Sequence, residues 1–233
     1  MNSQPDYHVK RWTVSDVWQR LLMLGFGLLY NQMAWSYDLV SWLVSRGQWR
    51  SWQEAALPYL RGPDILELAH GPGHMLLALA AAGYEAVGLD LSPYMIQLAK
   101  RKVEKSGKSI ALVRGDGRML PFCQDSFDSI LSTFPTEFLA EQQTINGLYA
   151  VLKPGGRLVI VPQAQLTGDS VTTRFIEWLY AITGQRPQVK DARDNGIWQT
   201  IANQFRASGF EVAFEHVILE TSNVMVVVAE KSD

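Results

Sequence analysis

The residues best suited to chemistry lie close together, between positions 65 and 90 (ILELAHGPGHMLLALAAAGYEAVGLD). Glu67 stands near the end of one short apolar run, Gly71 and Gly73 follow in a turn, and Asp90 closes a second apolar run. Glycines let a backbone approach a ligand closely, and an acid at the end of the second strand accepts hydrogen bonds from ribose hydroxyls. The spacing therefore predicts a βαβ unit that binds a cofactor containing a nucleoside.

This turn departs from two common phosphate-binding patterns. A dinucleotide fingerprint needs a third glycine, but His74, Met75 and Leu76 follow Gly73. The lysine of a P-loop is missing as well. Because a carboxylate at Glu67 would repel a pyrophosphate, the residues favour a positively charged nucleoside without phosphates. A turn that binds NAD, or one that binds no ligand, stays open as an alternative.

The pattern E-x-A-x-G-x-G, followed by Asp90, resembles the cofactor site of class I S-adenosylmethionine-dependent methyltransferases. That family usually has glycine where this chain has Ala69, and often cysteine or another small residue where it has His70. An alanine removes freedom for a positive φ angle. The resemblance implies S-adenosylmethionine as the cofactor, S-adenosylhomocysteine as the product, and no metal.

The same resemblance gives roles to individual residues. Glu67 would bear on the methionine ammonium, Asp90 would hold the ribose, and Asp116 would accept a hydrogen bond from the adenine amino group. Leu91 and Met95 would touch the adenine ring. An Asx turn would also explain the Asp-Gly pair at 116 and 117. The residues expected to bind the cofactor are Tyr37, Glu67, Ala69, His70, Gly71, Gly73, Asp90, Leu91, Met95, Asp116, Gly117 and Thr133.

Three further motifs resemble the methyltransferases that act on ubiquinone and menaquinone precursors. They are N-x-x-A-x-x-Y-D at 31–38, L-P-F at 120–122 and L-K-P-G-G at 152–156. The tyrosine of the first motif, Tyr37, lies near the cofactor in that group, and helix packing is its alternative role. The last motif also stops a helix and turns the chain into the sheet.

The acceptor is expected beyond the fourth strand, because ligands of doubly wound sheets bind past the carboxyl ends of the central strands. Phe134, Glu137 and, later in the chain, Tyr180 are expected to contact a small-molecule acceptor, which the resemblance and an apolar arm make quinone-like or lipid-like. Glu137 also suits the first turn of a helix. A general base is needed only for a protonated acceptor. The candidates, none of them assigned, are His8, Tyr30, His70, His74 and Glu137.

Alternating strand and helix patterns predict an α/β fold. Strands are expected at 65–68, 86–90, 110–113, 127–132, 157–161, 210–217 and 224–229, and helices at 33–44, 49–60, 75–82, 94–105, 141–152, 175–180 and 198–207. Ser92 and Pro93 suit the N-cap and first position of a helix. The family fold is a Rossmann-like three-layer sandwich. Its seven-stranded, mostly parallel sheet has the order 3-2-1-4-5-7-6, with the last strand antiparallel.

The methyltransferase domain that the resemblance implies is expected at 62–233. The residues before it, 1–61, carry six of the eight tryptophans and a net charge of +2, and they are expected to form a helical lid over the cofactor. A compatible second interpretation is a surface that meets a membrane or a lipid-like substrate. The apolar run at 21–30 is too short to span a bilayer, which takes about 20 residues. Residues 162–200 are expected to be an insertion that roofs the acceptor pocket.

Composition sets the outer limits of the interpretation. The chain has 233 residues, 47% of them hydrophobic, and a formal net charge of −2, which gives no indication of a nucleic-acid partner. A single cysteine and a polar start predict a cytoplasmic protein, peripheral on the inner face of the membrane if the arm binds lipid. Two other functions stay open: a cofactor-binding regulator without catalysis, and an NAD-dependent reductase. The oligomeric state is not predicted.

Overall fold

The computed structural model describes residues 41, 42, 45–167 and 196–232. The strands, in chain order, are β1 Asp64–Leu68, β2 Glu85–Asp90, β3 Ala111–Arg114, β4 Phe127–Thr133, β5 Leu152–Leu166, β6 Phe210–Leu219 and β7 Ser222–Lys231. The helices are α1 Trp49–Glu54, α2 His74–Ala81, α3 Pro93–Ser106, α4 Gln142–Val151 and α5 Gly196–Ala207, with 3-10 turns at Leu57–Tyr59 and Glu137–Ala140.

The seven strands form one sheet in the order β3-β2-β1-β4-β5-β7-β6. The first five strands of that order pair in parallel, and β7 pairs antiparallel with both β5 and β6. The predicted strand order and the antiparallel strand are confirmed. Ser92 also caps α3 as predicted, because its Oγ accepts from the Met95 N–H.

Helices cover both faces of the sheet, which explains why the central strands are near-continuous apolar runs. Leu66 and Ile130 point to one face, where residues of α4 and α5 join the core. Ile65 and Leu131 point to the other face, where residues of α1 and α2 pack. All four side chains are fully buried. The core therefore holds β1 and β4 rigidly, and their carboxyl ends are fixed in space.

Strand β5 is longer than the predicted 157–161. It starts at Leu152, which pairs with Phe127 of β4, and it runs to Leu166, which pairs with Ser222 of β7. The L-K-P-G-G motif therefore belongs to an irregular start of the strand, and residues 162–166 belong to the sheet. Pairing with a long hairpin sets this length, and a local apolar pattern cannot report it. The rest of the expected insertion, apart from Thr167 and the start of α5, lies outside the described residues.

The L-K-P-G-G lysine has a structural partner at the amino ends of the strands. Lys153 Nζ lies 2.6 Å from a carboxylate oxygen of Asp64 and 3.0 Å from one of Asp128. Asp128 also accepts from the Asp64 N–H at 3.0 Å. This cluster connects the amino ends of the strands, at the end of the sheet opposite the predicted site.

The end of the N-terminal arm packs on the sheet. The predicted helix at 49–60 is α1 followed by a 3-10 turn. Trp52 is buried, and its Nε1–H donates to Ser222 Oγ at 2.8 Å. Most of the arm, residues 1–40, 43 and 44, lies outside the described residues, so its function as a lid stays a prediction. In the ranges that the structure describes, no helix is long and apolar enough to cross a membrane.

Trp52→Phe is expected to lower the free energy of unfolding by about 1–2 kcal/mol, because the ring stays buried while the Ser222 hydroxyl loses its donor. Urea unfolding followed by circular dichroism measures the difference. The matched control is Trp42→Phe, whose side chain is 61% exposed, with an expected change within about 0.5 kcal/mol. Equal effects at the two tryptophans would contradict this anchoring role.

Candidate cofactor and active site

The turn between β1 and α2 has a left-handed backbone at three positions. The φ angle is +59° at Ala69, +55° at Gly71 and +80° at Gly73. A Cβ added to Gly73 would lie 2.8 Å from Cβ of Ala99, so this glycine lets α3 pack against the turn. A Cβ added to Gly71 would meet no described atom within 4 Å. Ala69 adopts the strained conformation although its side chain disfavours it.

Asp90 ties this turn to the loop that follows β2. One carboxylate oxygen accepts from the Gly71 N–H at 2.8 Å, and the other accepts from the Ser92 N–H at 2.8 Å. Asp90 is buried. An ionised carboxylate has about four acceptor positions, and two of them have no donor within the described ranges.

Glu67 is a buried acid on the central strand β1. Only 1% of the residue is exposed, and Oε2 has no hydrogen-bond partner among the described residues. Burial raises the pKa of this carboxyl well above its usual range, and the nearby charge of Asp90 raises the pKa further. A buried carboxyl of this kind favours binding of a cationic group that donates hydrogen bonds, because a positive charge would stabilise the ionised form of Glu67.

His70 occupies a pocket that a glycine in the next strand creates. Its Nδ1 lies 2.7 Å from the Gly71 carbonyl oxygen, while Nε2 is buried without a hydrogen-bond partner among the described residues. A Cβ on Gly88 would lie only 2.8 Å from the imidazole. Burial lowers the pKa of His70, although the charge of Asp90 opposes this effect. The sequence signal was available, because a glycine inside a strand marks a close approach.

Arg118, which sequence reasoning missed, holds Asp116 in place. The Asp116 carboxylate accepts a hydrogen bond from the backbone N–H of Arg118 at 3.0 Å and another from the Arg118 guanidinium at 3.3 Å. The same guanidinium forms a two-pronged ion pair with Glu141 beside α4. Gly117 is closely packed, since a Cβ there would lie 2.6 Å from the Phe138 ring. The backbone contact from Arg118 to Asp116 is the Asx turn that was the alternative explanation of the Asp-Gly pair, and the adenine role of Asp116 stays a prediction.

The two apolar residues expected beside adenine differ in exposure. Leu91 is 58% exposed directly after Asp90, whereas Met95 is only 1% exposed and belongs to the interior. Of the two, Leu91 presents an accessible side chain. Tyr94 and Met119 are also exposed apolar side chains, and neither belongs to a motif in the sequence.

The carboxyl end of β4 carries an aromatic cluster. Thr133 is buried, and Phe134 has a φ angle of +51°, a strained value for an aromatic residue. The Phe134 ring stacks on Trp49 of α1, with 4.3 Å between ring centroids. Glu137 is exposed at the first position of a 3-10 turn, as the dipole interpretation expected. Strained backbone of this kind concentrates at functional sites.

Helix α1 contributes a further polar residue that sequence reasoning missed. Gln53 is buried, and its Nε2 donates to Thr133 Oγ1 at 2.8 Å. The contact spans 80 positions of the chain, so no local pattern indicates it. The structure thus places one helix of the arm against the strand end where an acceptor was expected.

Several predicted site residues lie outside the described part of the chain, namely His8, Tyr30, Tyr37 and Tyr180. Of the other general-base candidates, His74 has its Nε2 2.7 Å from Lys102 Nζ. Among the residues that the structure describes, no group of three His, Cys, Asp or Glu side chains is arranged to hold a metal ion.

Comparison with known proteins agrees with this geometry. Residues 65–156 match the methyltransferase domain family. A demethylmenaquinone methyltransferase of Clavibacter sepedonicus is 34% identical over 204 residues, which cover 81% of this chain and 82% of that protein. One from Thermus thermophilus is 36% identical over 57% of this chain, and the match covers 63% of its own length.

Solved structures show the same fold at lower identity. An S-adenosylmethionine-dependent methyltransferase from Methanosarcina mazei has a TM-score of 0.55 and 20% identity, covering 76% of this chain and 96% of its own. A Haemonchus contortus N-methyltransferase in complex with S-adenosylhomocysteine has a TM-score of 0.58 and 17% identity, covering 80% of this chain and 53% of its own.

The fold and the glycine turn therefore define a class I S-adenosylmethionine-dependent methyltransferase. Within that class, the chain belongs to the ubiquinone/menaquinone type, to which the two bacterial relatives belong. The residues present fit the cofactor. Considering only the residues that the structure describes, Oε2 of the buried Glu67 has no hydrogen-bond partner before the turn, no atom would contact a Cβ on Gly71, and the Asp90 carboxylate has acceptor positions without donors.

Ala69→Gly is expected to stabilise the protein by about 0.5–1 kcal/mol. Relief of a left-handed alanine is worth about 1–2 kcal/mol, and the greater freedom of unfolded glycine offsets about 0.4–1 kcal/mol of it. Thermal unfolding measures the change. Ala80→Gly, inside α2, is the matched control and should destabilise by about 1 kcal/mol. Destabilisation at both positions would contradict the strain at Ala69.

Glu67→Gln is expected to stabilise the ligand-free protein increasingly as pH rises above about 4.5. Because folding raises the pKa of Glu67, the folded chain binds this proton more tightly than the unfolded chain. Stability therefore falls as pH rises from the unfolded pKa, about 4.3, to the folded pKa. Glutamine cannot ionise and escapes this loss. Urea unfolding from pH 4 to 8 tests this, and a difference that does not change with pH would rule it out.

Proposed function

We propose that this protein transfers the methyl group of S-adenosylmethionine to a small, apolar, quinone-like or lipid-like acceptor. The observation that carries the cofactor half is the buried Oε2 atom of Glu67, which lies directly before the glycine turn and has no hydrogen-bond partner in the described part of the chain. The acceptor half is supported by the names of the relatives, which are demethylmenaquinone methyltransferases.

The proposed roles of the described residues follow from their chemistry. Glu67 accepts from the methionine ammonium, Asp90 from the ribose hydroxyls, and Asp116, oriented by Arg118, from the adenine amino group. Leu91 offers an apolar surface to the adenine ring. When bound, S-adenosylmethionine supplies a methyl group that its sulfonium charge already activates, so the protein mainly provides alignment and an apolar environment.

The carboxyl end of β4 is the proposed acceptor side. The stacked rings of Trp49 and Phe134 suit a flat, apolar acceptor, because aromatic rings associate by offset stacking. Glu137 is exposed four residues beyond β4 and is available to take a proton from an acceptor hydroxyl. Carbon, oxygen and nitrogen acceptors all fit this arrangement.

Calorimetric titration with S-adenosylmethionine and S-adenosylhomocysteine, with NAD as the control, tests the proposed function. Micromolar binding of the first two and none of NAD is expected. Labelled methyl groups should then pass from the cofactor to an organic-soluble product when reduced quinone or lipid extracts are added. Binding without transfer to any extract would favour a regulator, and NAD binding would favour a reductase.

Asp90→Ala is expected to weaken S-adenosylhomocysteine binding at least ~10-fold, because a hydrogen bond to a charged group is worth about 1.5–3 kcal/mol. Asp128→Ala is the matched control. The Asp128 carboxylate also accepts a backbone N–H, but at the amino ends of the strands. The Asp128→Ala substitution should therefore lower stability and leave the affinity for S-adenosylhomocysteine unchanged. An unaltered affinity in Asp90→Ala would remove the ribose role from this residue.

A further inference from the structure

Two buried oxygen atoms near the carboxyl ends of β1 and β4 have no hydrogen-bond partner among the described residues. They are Oε2 of Glu67 and Oε1 of Gln53. Both side chains are more than nine-tenths buried, since Glu67 is 1% and Gln53 is 8% exposed. Buried acceptors are nearly always paired in native proteins, so two unpaired ones in one region require an explanation.

The sheet register places these two side chains on the same face. Glu67 pairs with Leu131 across the parallel strands β1 and β4. Because side chains alternate along a strand, Leu131 and Thr133 share the face to which Glu67 points. Gln53 Nε2 donates to Thr133 Oγ1. Thr133 lies two residues beyond Leu131, or about 7 Å, which brings the amide level with the turn that starts at Ala69.

The chemistry of the pair defines its ligand. Both unpaired atoms are acceptors, so the ligand must supply donors, and the neighbouring carboxyl favours a cation. An ammonium group has three N–H donors and a positive charge. We propose that Gln53 binds the amino-acid end of S-adenosylmethionine, with its Oε1 and Oε2 of Glu67 accepting hydrogen bonds from the ammonium group. This inference rests on the proposed function, and it adds a residue of the arm to the cofactor site.

The test compares two ligands that differ only at the amino-acid end. S-adenosylhomocysteine carries the ammonium and carboxylate groups of the amino acid, whereas 5′-methylthioadenosine keeps the adenine, ribose and sulfur but lacks both groups. Gln53→Met preserves the side-chain length and removes the amide. Calorimetry is expected to show affinity for S-adenosylhomocysteine reduced about 10-fold or more, while affinity for 5′-methylthioadenosine changes less than about 2-fold. A purely structural role would weaken both ligands together.

Gln48→Met is the matched control. Gln48 immediately precedes α1, and its Oε1 accepts from Ser222 Oγ rather than binding at Thr133. Its ratio of the two affinities should equal that of the wild type. Gln53→Asn, which withdraws the amide by one methylene, is the second variant and is used if Gln53→Met does not fold. It should lower the ratio of the affinity for S-adenosylhomocysteine to the affinity for 5′-methylthioadenosine at least 3-fold.

The outcomes separate this inference from the proposed function. Failure of the wild-type protein to bind either S-adenosylmethionine or S-adenosylhomocysteine overturns the proposed function. Normal wild-type binding with an unchanged ratio in the Gln53 variants overturns only the role of Gln53. An unchanged ratio together with a raised KM for the methyl acceptor would assign the amide to the acceptor instead, and it would also overturn the proposal.

Discussion

One carboxylate holds the candidate site together. Asp90 accepts a backbone N–H from the loop after β1 and another from the loop after β2, so it fixes the glycine turn against the start of α3. Both loops lead into the N-termini of helices, where a negative charge is favourable. Two acceptor positions of the same carboxylate have no donor among the described residues. The relative position of the two loops therefore depends on a single buried side chain, the one proposed to hold the ribose.

The turn after β1 contains several features that lower the stability of the ligand-free protein and that are common at binding sites. Ala69 has a left-handed backbone, and two buried atoms, Oε2 of Glu67 and Nε2 of His70, have no hydrogen-bond partner among the described atoms. Each feature costs stability in the ligand-free protein. The surrounding strands tolerate this because Ile65 and Leu66 are fully buried in the two cores that cover the opposite faces of the sheet. The packing of these strands offsets the free energy that the strained backbone of the turn costs.

Local patterns predicted the parts of the fold that short-range physics controls. The βαβ unit, the cap at Ser92 and the position of Asp90 follow from apolar runs, glycines and turn chemistry, and the family resemblance added the strand order. The extent of β5 could not be predicted, because its pairing with β7 sets it. The inward position of Met95 follows from the phase of α3 against the sheet. Gln53 and Arg118 depend on tertiary contacts that a single sequence does not show.

Helix α1 contacts the carboxyl end of β4 and the start of β7 at the same time. Trp49, Trp52 and Gln53 lie three and four residues apart, so they share one helix face. That face stacks on Phe134, donates to Ser222 of β7 and donates to Thr133 of β4. Any change that displaces α1 must disturb the aromatic surface and the buried amide together. If Gln53 binds the cofactor, acceptor selectivity and cofactor affinity in this protein cannot evolve independently.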